Sequence, residues 1–177
     1  MDNLKWKDIV KTPICTFDAK TGILCNMCES KLSSGQITES DVKGSMILTK
    51  LAQKIPEIDK ITLINSNEID DEVILILKPS DVRIIRSNTK LYELIQSSFK
   101  KNIWLVESDS NDRRFLENLF YPVRINNINF IWLPDGNKLT RVVIDKKINN
   151  MTDDIIEIIK KISLTIKKIE LVIDTEE

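Results

Sequence analysis

The sequence predicts an α/β (α+β) chain in which a small, knuckle-like cysteine segment precedes two tandem units of like element order. Three observations predict it. The stretch from Asp71 to Lys101, DEVILILKPSDVRIIRSNTKLYELIQSSFKK, reads as strand, short helix, polar loop and helix. A similar order recurs in the last third of the chain. The three cysteines stand together near the N-terminus, two of them at C-x-x-C spacing. The expected divisions are 1–37 for the arm and knuckle, 38–108 for the first unit and 109–177 for the second.

Composition narrows the chemistry. The chain has 177 residues, 42% hydrophobic and 30% charged, enough apolar material for one large or two small cores. Lys and Arg number 26 against 27 Asp and Glu, for a net charge of −1. That balance argues against strong non-specific hold on nucleic acid. The marked local surplus lies in 81–101, with five basic residues against two acidic. There is no histidine, which removes Ser-His-Asp and Cys-His pairs, histidine bases and histidine metal sites. With no nucleotide-binding glycine loop either, an enzyme is not expected. The N-terminus, MDNLKWKDIV, has no apolar signal core, and the longest apolar run, Val73 to Leu77, is too short to span a bilayer. With an odd number of cysteines, a reducing cytoplasm is the expected compartment.

Taken in order, residues 1–11 place Trp6, Ile9 and Val10 among charges, an arm that docks on the body or on a partner. Next come Cys15, Asp18, Cys25 and Cys28, written C-x2-D-x6-C-x2-C. Two tight hairpin-like pairs, joined by a loop with Thr21-Gly22, would set these four around a tetrahedral ion. Zn²⁺ accepts a carboxylate beside thiolates. The span is short, so metal is expected to supply its folding energy. Three ordinary reduced thiols, or a C-x-x-C redox pair lacking a thioredoxin-like βαβ surround, are the competing readings.

Thr38 and Asp41 have the spacing of an N-cap and its partner. They open a helix from Glu39 to about Lys54, with Leu48, Leu51, Ala52 and Ile55 on one face and Pro56 as its stop. A strand is expected at Lys60 to Ile64, then an acidic turn, Glu68 to Glu72, read as solvated rather than metal-binding. Val73 to Leu77 suit a strand buried on both faces. Ser80-Asp81 open a short helix. Arg86-Ser87-Asn88-Thr89 form a four-residue loop, and Leu91, Leu94, Ile95 and Phe99 mark one face of the next helix. A strand at Asn102 to Val106 closes the unit.

In the second unit, Asp109 to Asn111 cap a helix bearing Phe115, Leu116, Leu119 and Phe120. Strands at Ile125 to Leu133 and Leu139 to Ile144 flank the turn Pro134-Asp135-Gly136-Asn137. After Lys146 to Thr152 comes a helix with Ile155, Ile158, Ile159 and Ile162, and a last strand at Lys168 to Ile173. The helix before the loop is shortened or missing.

Two sets of residues carry a resemblance. The segment Pro13-Ile14-Cys15-x-x-Asp18-Ala19-Lys20-Thr21-Gly22-Ile23-Leu24-Cys25-x-x-Cys28, then Lys31-Leu32-x-Ser34-Gly35-x-Ile37-Thr38-Glu39, resembles the N-terminus of archaeal NusA-like KH proteins, factors of transcription elongation or termination. The strand–helix–loop–helix–strand order is similar to a KH module, and the whole layout to two tandem type II KH-like domains. The resemblance covers about residues 12–174. It implies RNA binding through the KH loops near RNA polymerase, and a metal site in which Asp18 stands where the family usually has cysteine.

The chain departs from the family at the loops. A KH loop is normally Gly-x-x-Gly, whose bare backbone approaches a phosphate closely. Here Arg86 and Thr89 hold the glycine positions, and Asn149 to Thr152 is the nearest counterpart in the second unit. Arg83, Arg86, Ser87, Asn88, Thr89 and Lys90 are the candidate RNA contacts, through charge more than close fit; a solvated helix end is the alternative for the basic three. Asp153-Asp154 would repel phosphate at the second loop. Two functions follow. One is an RNA-binding accessory factor of transcription with a weakened grip on single-stranded RNA. The other is a protein-interaction module on RNA polymerase or the ribosome, with Trp6, Trp104 and Trp132 as docking candidates.

Overall fold

The computed structural model describes residues 10–136, 138–145 and 151–176. Trp6 with most of the expected arm, Asn137 of the turn, and Lys146 to Asn150 of the second loop lie outside the described residues. The chain divides into two compact units, Met1–Ser108 and Asp109–Glu177.

The first unit runs α1 (Thr16–Thr21), α2 (Asn26–Ser33), α3 (Glu39–Ala52), a 3-10 turn at Pro56–Lys60, β1 (Leu63–Ile69), β2 (Glu72–Leu77), α4 (Pro79–Ser87), α5 (Thr89–Phe99) and β3 (Asn102–Glu107). Its sheet has the order β1-β2-β3. The central strand β2 is antiparallel to β1 and parallel to β3. Val73, Ile74, Leu75 and Leu77 are all buried, so the apolar run does lie against cover on both faces. Leu48, Ile58, Leu63, Leu75, Leu77, Ile85 and Ile95 belong to one apolar cluster under the helices. Pro79 starts α4, where its missing N–H costs nothing. At the front of the unit, Val10 joins this core and Lys11 bridges to Thr62 in parallel, so these two residues dock on the body.

One buried carboxylate ties α3 to the sheet. Asp41 completes a capping box with Thr38. Its Oδ1 also accepts the backbone N–H of Ser66 at 2.6 Å, and its Oδ2 the side-chain amide of Asn65 at 3.1 Å. The helix crosses β1 so closely that a Cβ on Gly44 would stand 3.1 Å from the Cβ and Oγ of Ser66.

Four expectations change here. The strand placed at Lys60 to Ile64 is displaced. Pro56 opens a 3-10 turn, and β1 runs later, from Leu63 to Ile69. Its middle, Asn65-Ser66-Asn67, is poor in strand formers but is held by Asp41. The acidic turn accordingly shrinks to Asp70-Asp71, with Ile69 opposite Glu72 and Asp70 at φ 53°. The four-residue loop 86–89 also contracts, because α4 continues through Ser87 and α5 begins at Thr89, leaving Asn88 alone between them. Finally, α1 and α2 replace the hairpin-like pairs of the cysteine segment.

The second unit runs α6 (Asp112–Phe120), β4 (Ile125–Trp132), β5 (Lys138–Asp145), α7 (Asp153–Lys167) and β6 (Glu170–Glu176). Its sheet has the order β4-β5-β6, with β5 central, antiparallel to β4 and parallel to β6. Phe115, Leu116, Leu119, Val142, Ile144, Ile159 and Ile162 are buried. Each unit thus carries one mixed three-stranded sheet. Each also turns its last helix into its last strand through a left-handed lysine, Lys100 at φ 56° and Lys168 at φ 57°.

Candidate metal centre and the α4–α5 turn

The cysteine segment places its four candidate ligands by one device used twice. Cys15 is the N-cap of α1 and Asp18 its third residue; Cys25 is the N-cap of α2 and Cys28 its third residue. In both helices the cap and the third residue face the same end. Neither thiol caps the backbone of its own helix. Gly22 at φ 79° stops α1 and lets the chain return. The ligand atoms of Cys15, Asp18, Cys25 and Cys28 all lie within 4.8 Å of one another.

The two pairs cross-link through the backbone. The N–H of Cys15 donates to Sγ of Cys28 at 3.4 Å, and the N–H of Cys25 donates to Oδ2 of Asp18 at 2.9 Å. Asp18 and Cys28 are buried, Cys25 is half-buried and Cys15 is exposed. The backbone N–H of Cys25, helped by the neighbouring thiols, holds the Asp18 carboxyl down at about 2. Burial pushes the Cys28 thiol up to about 12. Oδ1 of Asp18 is buried and has no hydrogen-bond partner among the described residues. A carboxylate with one unpartnered oxygen, gathered with three thiols, fits the donor set of a divalent cation, which would stabilise the carboxylate and the thiolates together.

Apolar packing supports this segment. Ile14, Ala19, Cys28, Ile37 and Val42 form a buried cluster, with Leu24, Leu32 and Met46 packed against it. The segment therefore leans on α3, so the short span expected to draw its folding energy from metal also has apolar packing. Sequence reasoning also passed over Phe17, Ile23 and Met27, which are 69%, 72% and 75% exposed beside the ligands. The signal was present, since Phe17 and Met27 occupy matching places in the two ligand pairs.

The residues singled out for RNA are split. Arg83, Ser87, Asn88, Thr89 and Lys90 are exposed. Arg86 is not among them: it is half-buried, and its Nη2 donates to the carbonyl of Leu105 on β3 at 3.0 Å. Asn88 is extended, φ −123°, and caps α5 by accepting the Leu91 N–H at 3.1 Å. With a single extended residue joining the helices, the turn needs no left-handed conformation. Ser87 Oγ is turned to the Ile84 carbonyl. In the second unit Thr152 caps α7, and Asp153 and Asp154 fill its first turn. Of the three tryptophans, Trp104 is committed to the sheet, its Nε1 donating to Glu72 at 2.6 Å. Trp132 is 70% exposed on β4.

Fold and site together define an α/β chain with two small three-stranded sheets and a three-thiol, one-carboxylate cluster at the N-terminal end of the first. No family model and no curated protein matches the sequence. Among solved structures, one titled "Crystal structure of APE1850" is similar with a TM-score of 0.46 and 18% identity, over 73% of this chain and 95% of that one. Among the described residues no helix is long and apolar enough to cross a membrane.

Proposed function

We propose that this protein is an RNA-binding accessory factor of transcription of the NusA-like KH kind, a binding protein and not an enzyme, acting in the cytoplasm with RNA polymerase as its partner. Zn²⁺ occupies its Cys15, Asp18, Cys25, Cys28 centre. Single-stranded RNA contacts the α4–α5 turn of the first unit weakly. The observation that carries the reading is the exposed start of α5. Its first turn, Thr89 to Tyr92, presents Lys90 and no carboxylate, and Arg83 is exposed on α4. Backbone N–H groups, helix dipole and two cations then favour a phosphate there. The order β2, α4, short turn, α5, β3, with β2 parallel to β3, supports a type II KH-like unit. The corresponding start of α7 bears Asp153 and Asp154, so the second unit contributes no such contact.

The test is single-stranded RNA binding across ionic strength. Two phosphate contacts predict an affinity loss of roughly sevenfold for a fourfold rise in salt. Arg83→Glu and Lys90→Glu should each abolish the measurable part. Absence of binding at low salt would sink the RNA reading. It would favour the second one, a protein-interaction module on RNA polymerase or the ribosome. That alternative draws on the inward turn of Arg86 and on Phe130, Ile131 and Trp132, which are exposed together on β4.

A further inference from the structure

Asp18 stands where a fourth thiol would complete a symmetric cluster, and the two halves of that cluster show what the substitution changes. On one side Sγ of Cys28 accepts the Cys15 N–H at 3.4 Å. If it also binds the ion, one sulfur does both jobs. On the other side Asp18 has two oxygens for the same two jobs. Oδ2 takes the Cys25 N–H at 2.9 Å, while Oδ1 is buried and without a partner among the described residues, on a carboxylate that gathers within 4.8 Å of the three thiols.

We infer that Asp18 divides its carboxylate, Oδ2 fixing the α2 cap and Oδ1 alone binding the ion, so that the centre has three sulfurs and one oxygen and turns away from soft cations. The inference rests on the reading that the centre holds a metal. Because Oδ2 is committed to an N–H, the carboxylate coordinates through one oxygen, which keeps the site at four ligands, as tetrahedral Zn²⁺ requires. A carboxylate oxygen is harder than a thiolate, so it favours Zn²⁺ or Co²⁺ over Cd²⁺ relative to an all-thiolate site. The outer hydrogen bond holds the ring of ligands in register, as such bonds do at metal sites generally.

The experiment loads the full chain with Co²⁺, and titrates Zn²⁺ against Cd²⁺, for the wild type, Asp18→Cys and Asp18→Asn. The Co²⁺–thiolate charge-transfer absorption should rise by about a third in Asp18→Cys, as the thiolates go from three to four. Its preference should shift toward Cd²⁺. Asp18→Asn keeps an acceptor for the Cys25 N–H but loses the anionic ligand. Its loss of Zn²⁺ affinity should exceed the 10–100-fold, roughly, that an outer hydrogen bond is worth. If the ion binds but Asp18→Cys leaves both absorption and preference unchanged, Asp18 is not a ligand; the inference then falls while the metal reading stands. If the wild type binds neither Co²⁺ nor Zn²⁺, both fall together.

Discussion

The Arg86 guanidinium donates to the backbone carbonyl of Leu105 at 3.0 Å, from the last turn of α4 to the middle of β3. This contact turns the central cation of the basic stretch 83–90 into part of the body. Arg86→Ala should therefore lower the stability of the first unit by about 1.5–3 kcal/mol, the range for a hydrogen bond involving a charged group. The exposed Arg83→Ala should stay within about 0.5 kcal/mol. Urea unfolding of the two variants checks this. Equal midpoints would mean that Arg86 is a surface residue after all.

Asp41 gathers four donors: the N–H and hydroxyl of Thr38, the Asn65 amide and the Ser66 N–H. Asp41→Ala would remove the return half of the α3 capping box and leave the buried Ser66 N–H without its acceptor. The two losses together should cost about 2–4 kcal/mol. Asp41→Asn, which keeps an acceptor, should cost less. Thermal or urea unfolding ranks the three proteins, and a wild-type midpoint for Asp41→Ala would contradict the anchoring role.

Much of this was legible in the sequence for identifiable reasons. Val73 to Leu77 announce a two-face-buried strand because no polar residue interrupts them. Thr38 and Asp41 announce α3 because capping is local chemistry. The four ligands of the candidate centre were legible from spacing alone. What was not legible depends on contacts distant in sequence. Asn65-Ser66-Asn67 form a strand because Asp41, on another element, accepts from two of them. Helices α1 and α2, six and eight residues long, are too short to show a periodic apolar stripe. The direction of Arg86 depends on where β3 lies, which no local pattern encodes.

The pair Lys101–Glu68 makes a prediction in pH. Lys101 Nζ lies 2.5 Å from Glu68 Oε1, and this hydrogen bond is the first cause of a lowered Glu68 pKa, below its ordinary 4.5. A carboxylate with a lowered folded pKa contributes stability above its unfolded pKa. That contribution is lost as the pH falls through the folded value. The same bond raises Lys101, whose share is present below 10.5 and lost as the pH rises through its folded value. Both side chains are partly exposed, so screening by water keeps the contribution small. Lys101→Met should therefore lower stability slightly at neutral pH, and the share due to Glu68 should fade as the pH drops below 4.5 and through the lowered folded pKa of Glu68, while the bond from Lys101 Nζ to the Asp70 carbonyl at 2.7 Å does not titrate there. A difference that does not shrink in acid would assign the effect to the Asp70 contact and packing instead of the Glu68 pair.

Removal of metal should loosen the cysteine segment without releasing it. With chelator present, amide hydrogen exchange across Thr16–Ser33 should quicken, while β1, β2 and β3 keep their protection. The strands draw their stability from the cluster around Leu75 and Leu77, which shares no ligand with the centre. The segment itself keeps Ile14, Ala19, Ile37 and Val42 packed together, so chelation alone leaves it on α3. Ile14→Ala removes part of that packing, a loss of about 2–5 kcal/mol for a buried aliphatic side chain. Chelation of this variant should then give exchange close to that of an unstructured chain over Thr16–Ser33. If exchange in the wild type is the same with and without chelator, apolar packing alone holds α1 and α2. If the strands lose protection as well, the two apolar clusters of the first unit unfold as one and the segment is no satellite of the sheet.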